Sequence, residues 1–266
     1  MTKKFNPKNS VCVITGASSG IGKALGLELL ARGATRIINI DPASVDYECD
    51  HYPVDVGHHN ELIAVIDEVK SKYNSIDLYC MNAGACHLDN HEDDMDHWNK
   101  VMNINFWPSV IAMQRYLPDM LKAGQGHFLL TSSAAGMLAL PGGVTYTVSK
   151  HALRSLAEWM AGAYTTLGIG VHVLCPQGVI TDMTEKEHPF NTQLKKGGLF
   201  GEMLTPQQVA TITLDQMAQG TFMILTHDGL KQRAIGKAEN IEWFIEKSIE
   251  THDTYIQELF TKKSTK

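Results

Sequence analysis

No block of basic residues interrupts this sequence, and its formal charge is -6. Both facts argue against nucleic acid as the main partner, because phosphate binding needs clustered positive charge. No apolar run is long enough to cross a bilayer, which argues against a membrane partner. The start, Met1-Thr2-Lys3-Lys4-Phe5-Asn6, lacks the apolar centre of a secretory signal. No metal-ligand spacing joins the five cysteines, Cys12, Cys49, Cys80, Cys86 and Cys175. Three of them sit inside apolar strand-like runs, which suits buried thiols in a reducing, cytoplasmic setting. Neither a repeat nor a linker divides the chain, so residues 1–266 are expected to form one domain.

What is present is an alternation of apolar strands and helical stretches. Strands are predicted at Val11 to Thr15, Arg36 to Ile40, Ile76 to Met81, Gly126 to Ser132 and Val171 to Cys175, with a short one before Asp55. Helices are predicted over Ile21 to Arg32, Glu61 to Tyr73, Met95 to Ala123 and Thr145 to Leu167. Strands that read as continuous apolar runs are buried on both faces, as in a parallel sheet between helix layers. The pattern predicts a doubly wound α/β (Rossmann) sheet. Residues 183 to 204 break the rhythm and are expected to form a substrate lid.

Thr15-Gly16-Ala17-Ser18-Ser19-Gly20-Ile21-Gly22 joins the first strand to the first helix. Glycines allow a tight turn and close backbone approach. The helix start adds N–H groups and the positive end of a dipole, which together favour phosphate. The spacing G-x-x-x-G-x-G differs from the G-x-G-x-x-G fingerprint, yet its strand-to-helix position points to a nucleotide. Asp41 ends the second strand, 19 residues after Gly22. A carboxylate there accepts bonds from ribose hydroxyls and repels a 2′-phosphate. No cation among Pro42, Ala43 and Ser44 offsets it, so NAD is expected over NADP.

Tyr146 and Lys150 stand one helical turn apart and share a face. A phenol ionises near pH ~10, and a neighbouring ammonium favours the phenolate. The pair is therefore expected to form a tyrosine acid/base with a lowered pKa. Its bland reading is a solvated surface pair.

Taken together, these motifs resemble the short-chain dehydrogenase/reductase family over about Val11 to Thr181. The glycine turn matches T-G-x-x-x-G-x-G, Asn82-Ala83-Gly84 matches its N-A-G, and Tyr146 with Lys150 matches its Y-x-x-x-K. Asn105 aligns with the catalytic asparagine, and Ser133, 13 residues before Tyr146, with the catalytic serine. Asp55 and Val56 resemble the pair near the adenine. The resemblance implies a cofactor site made of Gly16, Ser18, Ser19, Gly20, Ile21, Gly22, Asp41, Asp55, Val56, Asn82, Ala83, Gly84, Pro176, Val179 and Thr181, shared with Tyr146 and Lys150. It also implies that Lys150 holds the nicotinamide ribose and that Asn105 holds a water leading to Lys150. The expected function is hydride transfer between NAD and a secondary alcohol or ketone. Competing readings are a non-catalytic NAD(H)-binding regulator or scaffold, and an epimerase or dehydratase on the same fold.

One motif departs from the family pattern. In Pro176-Gln177-Gly178-Val179-Ile180-Thr181, Gln177 replaces the usual glycine, altering backbone approach or placing an amide donor near the ring. The chain then ends in a charged helical tail, about Leu230 to Thr261, where many relatives have a tetramer contact. A homodimer or homotetramer is implied; the tail puts the C-terminal tetramer contact in question and leaves a dimer built from the two long helices as a candidate. Cys86, His87, Met137, Leu138 and Leu140 are expected to line the substrate cleft, with Phe190, Leu199, Phe200 and Met203 closing over it. The histidines and carboxylates from His87 to His97 read as a solvated loop and an acidic helix start rather than a metal site.

Overall fold

The computed structural model describes residues 1–86, 94–140, 142–186 and 203–250. Its strands are β1 (Val11–Thr15), β2 (Arg36–Ile40), β3 (Asp50–Tyr52), β4 (Leu78–Met81), β5 (Gly126–Thr131), β6 (Ile169–Cys175) and β7 (Met223–Leu225). They form one sheet in the order β3-β2-β1-β4-β5-β6-β7, and every neighbouring pair is parallel. This is the doubly wound sheet that the alternation predicts. Its helices are α1 (Gly20–Ala31), α2 (His59–Lys72), α3 (Met95–Asn105), α4 (Trp107–Ala123), α5 (Val144–Tyr164), α6 (Asp182–Lys186), α7 (Pro206–Gln219) and α8 (Leu230–Glu239). Residues 241–250 are also helical.

The strand side chains alternate with period two between the sheet's faces. On one face Val13, Tyr79, Phe128, Leu130, Val171 and Val173 pack with Leu62, Ile66 and Val69 of α2, Ala112 and Tyr116 of α4, and Leu153 and Met160 of α5. On the other, Cys12, Ile14, Leu78, Cys80, Leu129 and Leu174 pack with Leu25 and Leu29 of α1 and Val209 and Leu214 of α7. Burial on both faces is why these strands read as unbroken apolar runs. From β1 the chain winds outward to β2 and β3, then crosses to β4 on β1's other side. The crevice between the carboxyl ends of β1 and β4 is thus the topological switch point, where ligands bind in such sheets.

Two boundaries correct the sequence expectation. The helix predicted over Met95 to Ala123 is divided at Phe106, whose φ of -125° and ψ of -57° are not helical. The cause is tertiary: the Asn105 side chain is drawn onto Ala85, and Pro108 starts the next helix. The predicted C-terminal helix is likewise interrupted at Asn240, which is extended. Residues 251–261 of that tail and 187–202 of the expected lid lie outside the described residues.

Candidate active site

The glycine turn sits where β1 hands over to α1. Gly16 (φ +71°) and Gly20 (φ +51°) occupy the left-handed region that disfavours side chains. A Cβ on Gly22 would lie 2.1 Å from the Gly16 carbonyl oxygen, so α1 packs against its own entry turn. Ser19 at the N-cap makes no side-chain capping bond, and no acid occupies the first turn of α1. That arrangement suits an anion supplied from outside the helix.

Asn82 fixes this turn to the neighbouring strands. Its Nδ2 donates to the Thr15 carbonyl at 3.1 Å and the Gly16 carbonyl at 3.3 Å, and its Oδ1 accepts from Thr131 Oγ1 at 3.2 Å. The backbone N–H groups of Asn82 and Ala83 both donate to Thr15 Oγ1 at 3.0 Å. The ends of β1, β4 and β5 are thereby joined, and Ala83 lies against Gly16. Asp41 leans back over the turn: its carboxylate accepts from Ser18 N at 3.2 Å and Ala43 N at 2.9 Å. Asp55 accepts from Gly57 N at 2.8 Å, while Val56 is buried beside α2. Gly20 abuts Thr181, which brings the segment after β6 onto the glycine turn.

Ser133, Tyr146 and Lys150 lie near the carboxyl end of β5. Ser133 follows β5 and caps a short turn, accepting from Ala135 N at 3.1 Å. Tyr146 and Ser133 both line one cavity of about 340 Å³. Lys150 is 3% exposed, so it is not a solvated helix lysine. Its Nζ donates to the Thr131 carbonyl at 2.8 Å and lies 5.6 Å from the Tyr146 ring centroid. Burial lowers the Lys150 pKa to about 8. Burial also raises the Tyr146 pKa above its ordinary value; neighbouring Cys86 adds to the rise and Ser133 opposes it. This direction corrects the expected lowering. The Lys150 ammonium is bonded to the Thr131 carbonyl, and desolvation of the phenolate prevails.

The Asn105 side chain is fixed by three hydrogen bonds. Its Oδ1 accepts from Ala85 N at 2.8 Å, and its Nδ2 donates to the Ala85 carbonyl and to Ser149 Oγ, each at 2.9 Å. The side chain is thus committed to shaping the segment after β4. It stays beside Lys150, because a Cβ on Gly84 would be 3.2 Å from Lys150 Nζ and 3.4 Å from Asn105 Oδ1.

Cys86, Leu138, Leu140, Pro176, Val179, Thr181 and Met203 line the same cavity as Tyr146. Met137 is buried in the core instead, with its carbonyl accepting from Lys237 Nζ at 2.8 Å. His87, Phe190, Leu199 and Phe200 lie outside the described residues. Asp94 caps α3 by accepting from His97 N at 3.0 Å, an acidic helix start. Among the described residues no group of three or more His, Cys, Asp or Glu is placed to hold a metal.

Sequence reasoning missed the wall built by the C-terminal helices. Arg233, Phe244, Lys247 and Ser248 all line the cavity. Gln177 is the link: its N–H donates to His227 Nδ1 at 3.2 Å, and its Oε1 accepts from Arg233 Nη2. Its side-chain oxygen is therefore engaged by α8. The unusual glutamine in a glycine position was the only sequence signal for this wall.

These features define a Rossmann-type protein with a half-buried tyrosine and serine and a buried lysine beside its switch point. The chain belongs to the short chain dehydrogenase family, whose model matches residues 10–192. It is similar to a D-beta-hydroxybutyrate dehydrogenase of Rhizobium meliloti, 27% identical over 82% of this chain and 96% of that protein. A short chain dehydrogenase/reductase from Burkholderia phymatum in complex with NAD is 26% identical, with a TM-score of 0.76 over 90% of this chain and 96% of that one. A short chain dehydrogenase from Burkholderia cenocepacia in complex with NADP has a TM-score of 0.77 over 91% of this chain and 98% of its own, at 18% identity, a likeness of fold alone.

Proposed function

We propose that this family member is an NAD-dependent dehydrogenase or carbonyl reductase acting on a secondary alcohol or ketone, with Tyr146 as acid/base. The observation that carries this reading is Tyr146 and Ser133 together on one cavity wall, with Lys150 buried beside the Tyr146 ring. The cofactor, when bound, supplies the hydride chemistry. The turn from Gly16 to Gly22 and the α1 N-terminus would hold its phosphates, Asp41 the adenosine ribose, and Val179 with Thr181 the nicotinamide side. Ser133 orients the substrate oxygen, and Tyr146 exchanges a proton with it. A phenol with a raised pKa keeps its proton at neutral pH, which suits donation to an oxygen during ketone reduction. Alcohol oxidation needs the phenolate and is expected to accelerate as pH rises.

Relatives of this fold bind NAD or NADP, so the preference rests on Asp41. Its negative charge sits at the end of β2, where a 2′-phosphate would be repelled. A panel of secondary alcohols and ketones, followed at the NADH absorbance band with each cofactor, tests the reading. Wild type is expected to favour NAD(H), and Asp41→Ala to erode that preference about 10-fold, or ~1.4 kcal/mol. Better use of NADP(H) by wild type would sink the cofactor assignment. Four buried free thiols support a reducing, cytoplasmic setting. Exposed Trp107, Val148 and Trp159 on α4 and α5 support pairing of two copies through those helices.

A further inference from the structure

The helical segment 241–250 follows the break at Asn240, whose Oδ1 accepts from Trp243 N at 2.9 Å. Within it Phe244 and Ser248 are half-buried, and all the other residues are exposed. Positions i and i+4 share one helix face, so the segment meets the rest of the molecule along that face. Phe244 and Ser248 also line the cavity beside Tyr146. The covered face of this helix is therefore a cavity wall. Lys237 holds the Phe244 ring there: its Nζ lies 5.1 Å from the ring centroid and donates to the Met137 carbonyl at 2.8 Å. Leu138 and Leu140, just after Met137 in the chain, line the same cavity with Met183 and Met203.

Polar side chains among these lining residues are bonded within the protein. Ser248 Oγ donates to the Phe244 carbonyl at 2.8 Å, and Thr184 Oγ1 to the Val179 carbonyl at 2.7 Å. Lys247 Nζ is 2.9 Å from both carboxylate oxygens of Glu250, and Arg233 donates to the Gln177 amide oxygen. A hydroxyl-rich ligand would leave its own groups unpaired against such a wall, each at the cost of a lost hydrogen bond. A hydrocarbon would gain by covering it. Ser133 and Tyr146 then serve a single substrate oxygen.

We infer that the substrate is a ketone or secondary alcohol carrying its one oxygen function on a hydrocarbon body, and that Phe244 is the specificity-determining residue that meets that body. The reaction rests on the oxidoreductase reading above; the preference for hydrocarbon is a property of binding and does not.

Calorimetric titration of the full chain with 2-octanone and with 7-hydroxy-2-heptanone, at saturating NAD+, tests this directly. The two probes match in length and differ in a terminal methyl or hydroxyl group. The oxidised cofactor cannot reduce a ketone, so binding is read apart from turnover. Wild type is expected to bind 2-octanone at least about 10-fold more tightly, and to lose about 4-fold for each methylene removed on the way to 2-butanone. Phe244→Ala should cut the 10-fold preference to about 3-fold while leaving 2-butanone affinity near that of wild type. Ile245→Ala, on the exposed face of the same helix, should keep the whole preference. Reduction of 2-octanone by NADH is followed separately, so absent turnover counts against the reaction and not against the wall. Equal binding of the two probes by wild type, tighter binding of the hydroxy ketone, or binding of neither would overturn the substrate class. A preference unchanged in Phe244→Ala, or an equal loss for 2-butanone and 2-octanone, would overturn the role of Phe244. If Phe244→Ala does not fold, Phe244→Tyr decides, because its added hydroxyl should lower the preference.

Discussion

The two ends of β5 and β6 bury ionisable groups in opposite ways. At the carboxyl end, Tyr146 and Lys150 are desolvated beside a cavity that Tyr146 lines. At the amino end, His127 and His172 stack with ring centroids 5.7 Å apart, enclosed with Phe5 and the Thr221 carbonyl. Burial is the leading influence at both ends. It lowers His127 to about 3 and His172 to about 4, just as it lowers Lys150 to about 8. The difference lies in what each group can reach. The histidines meet each other and the backbone, so their neutrality serves packing. Tyr146 meets Ser133 and open space, so its proton can go to a ligand. A perturbed pKa marks a functional group only where a cleft accompanies it.

Substitutions at the two ends should therefore change different observables. The largest effect is expected at the carboxyl end. Ser133→Ala should lower kcat about 10²–10³-fold by removing a donor to the substrate oxygen. Its cost in stability should stay near ~1 kcal/mol, the size of one ordinary hydrogen bond. A stability loss without a kinetic one would erase the contrast between the ends.

Acid should act at the amino end. Both histidines have folded pKa values below the unfolded ~6.5. The unfolded chain therefore binds more protons, and stability falls as pH drops below about 6.5. Denaturant unfolding is expected to show a loss of roughly 2–4 kcal/mol between pH 6.5 and 5 from the pair. Removing one titrating site with His127→Gln should flatten that slope by about half. An unchanged slope would show that the pair is not the acid-sensitive element.

A smaller effect is expected at the glycine turn. Gly22→Ala places a methyl group 2.1 Å from the Gly16 oxygen. The resulting shift should cost roughly 1–3 kcal/mol, and NAD affinity should fall by about one to two decades. Unaltered affinity by calorimetry would separate this turn from the cofactor site.

Much of the carboxyl end was legible because its chemistry is local. The glycine turn lies between a strand and a helix, and the tyrosine–lysine spacing lies within one helix. The amino end was less so. Gly170 lies inside β6, which begins at Ile169 instead of the predicted Val171. A glycine ordinarily weakens a strand, but here a Cβ would sit 2.0 Å from His127 Nδ1. The ring of a neighbouring strand requires the gap. The break at Phe106 had a signal in Pro108, a residue common at helix starts, yet its cause is the distant Ala85. The direction of the Tyr146 shift was missed because spacing places an ammonium near a phenol without showing how deeply the phenol is buried. Arg233 and Phe244 lay in a segment that reads only as a charged tail, and contact over more than 50 residues made them part of the cavity.

The central claim is that Tyr146 moves the proton in an NAD-dependent oxidoreduction. Its most direct test is the steady-state rate of ketone reduction by wild type and Tyr146→Phe, with NADH binding titrated in parallel. A fall in kcat of at least about 10²-fold, with NADH affinity nearly unchanged, is the expected result. Turnover at the wild-type rate in Tyr146→Phe would contradict the account.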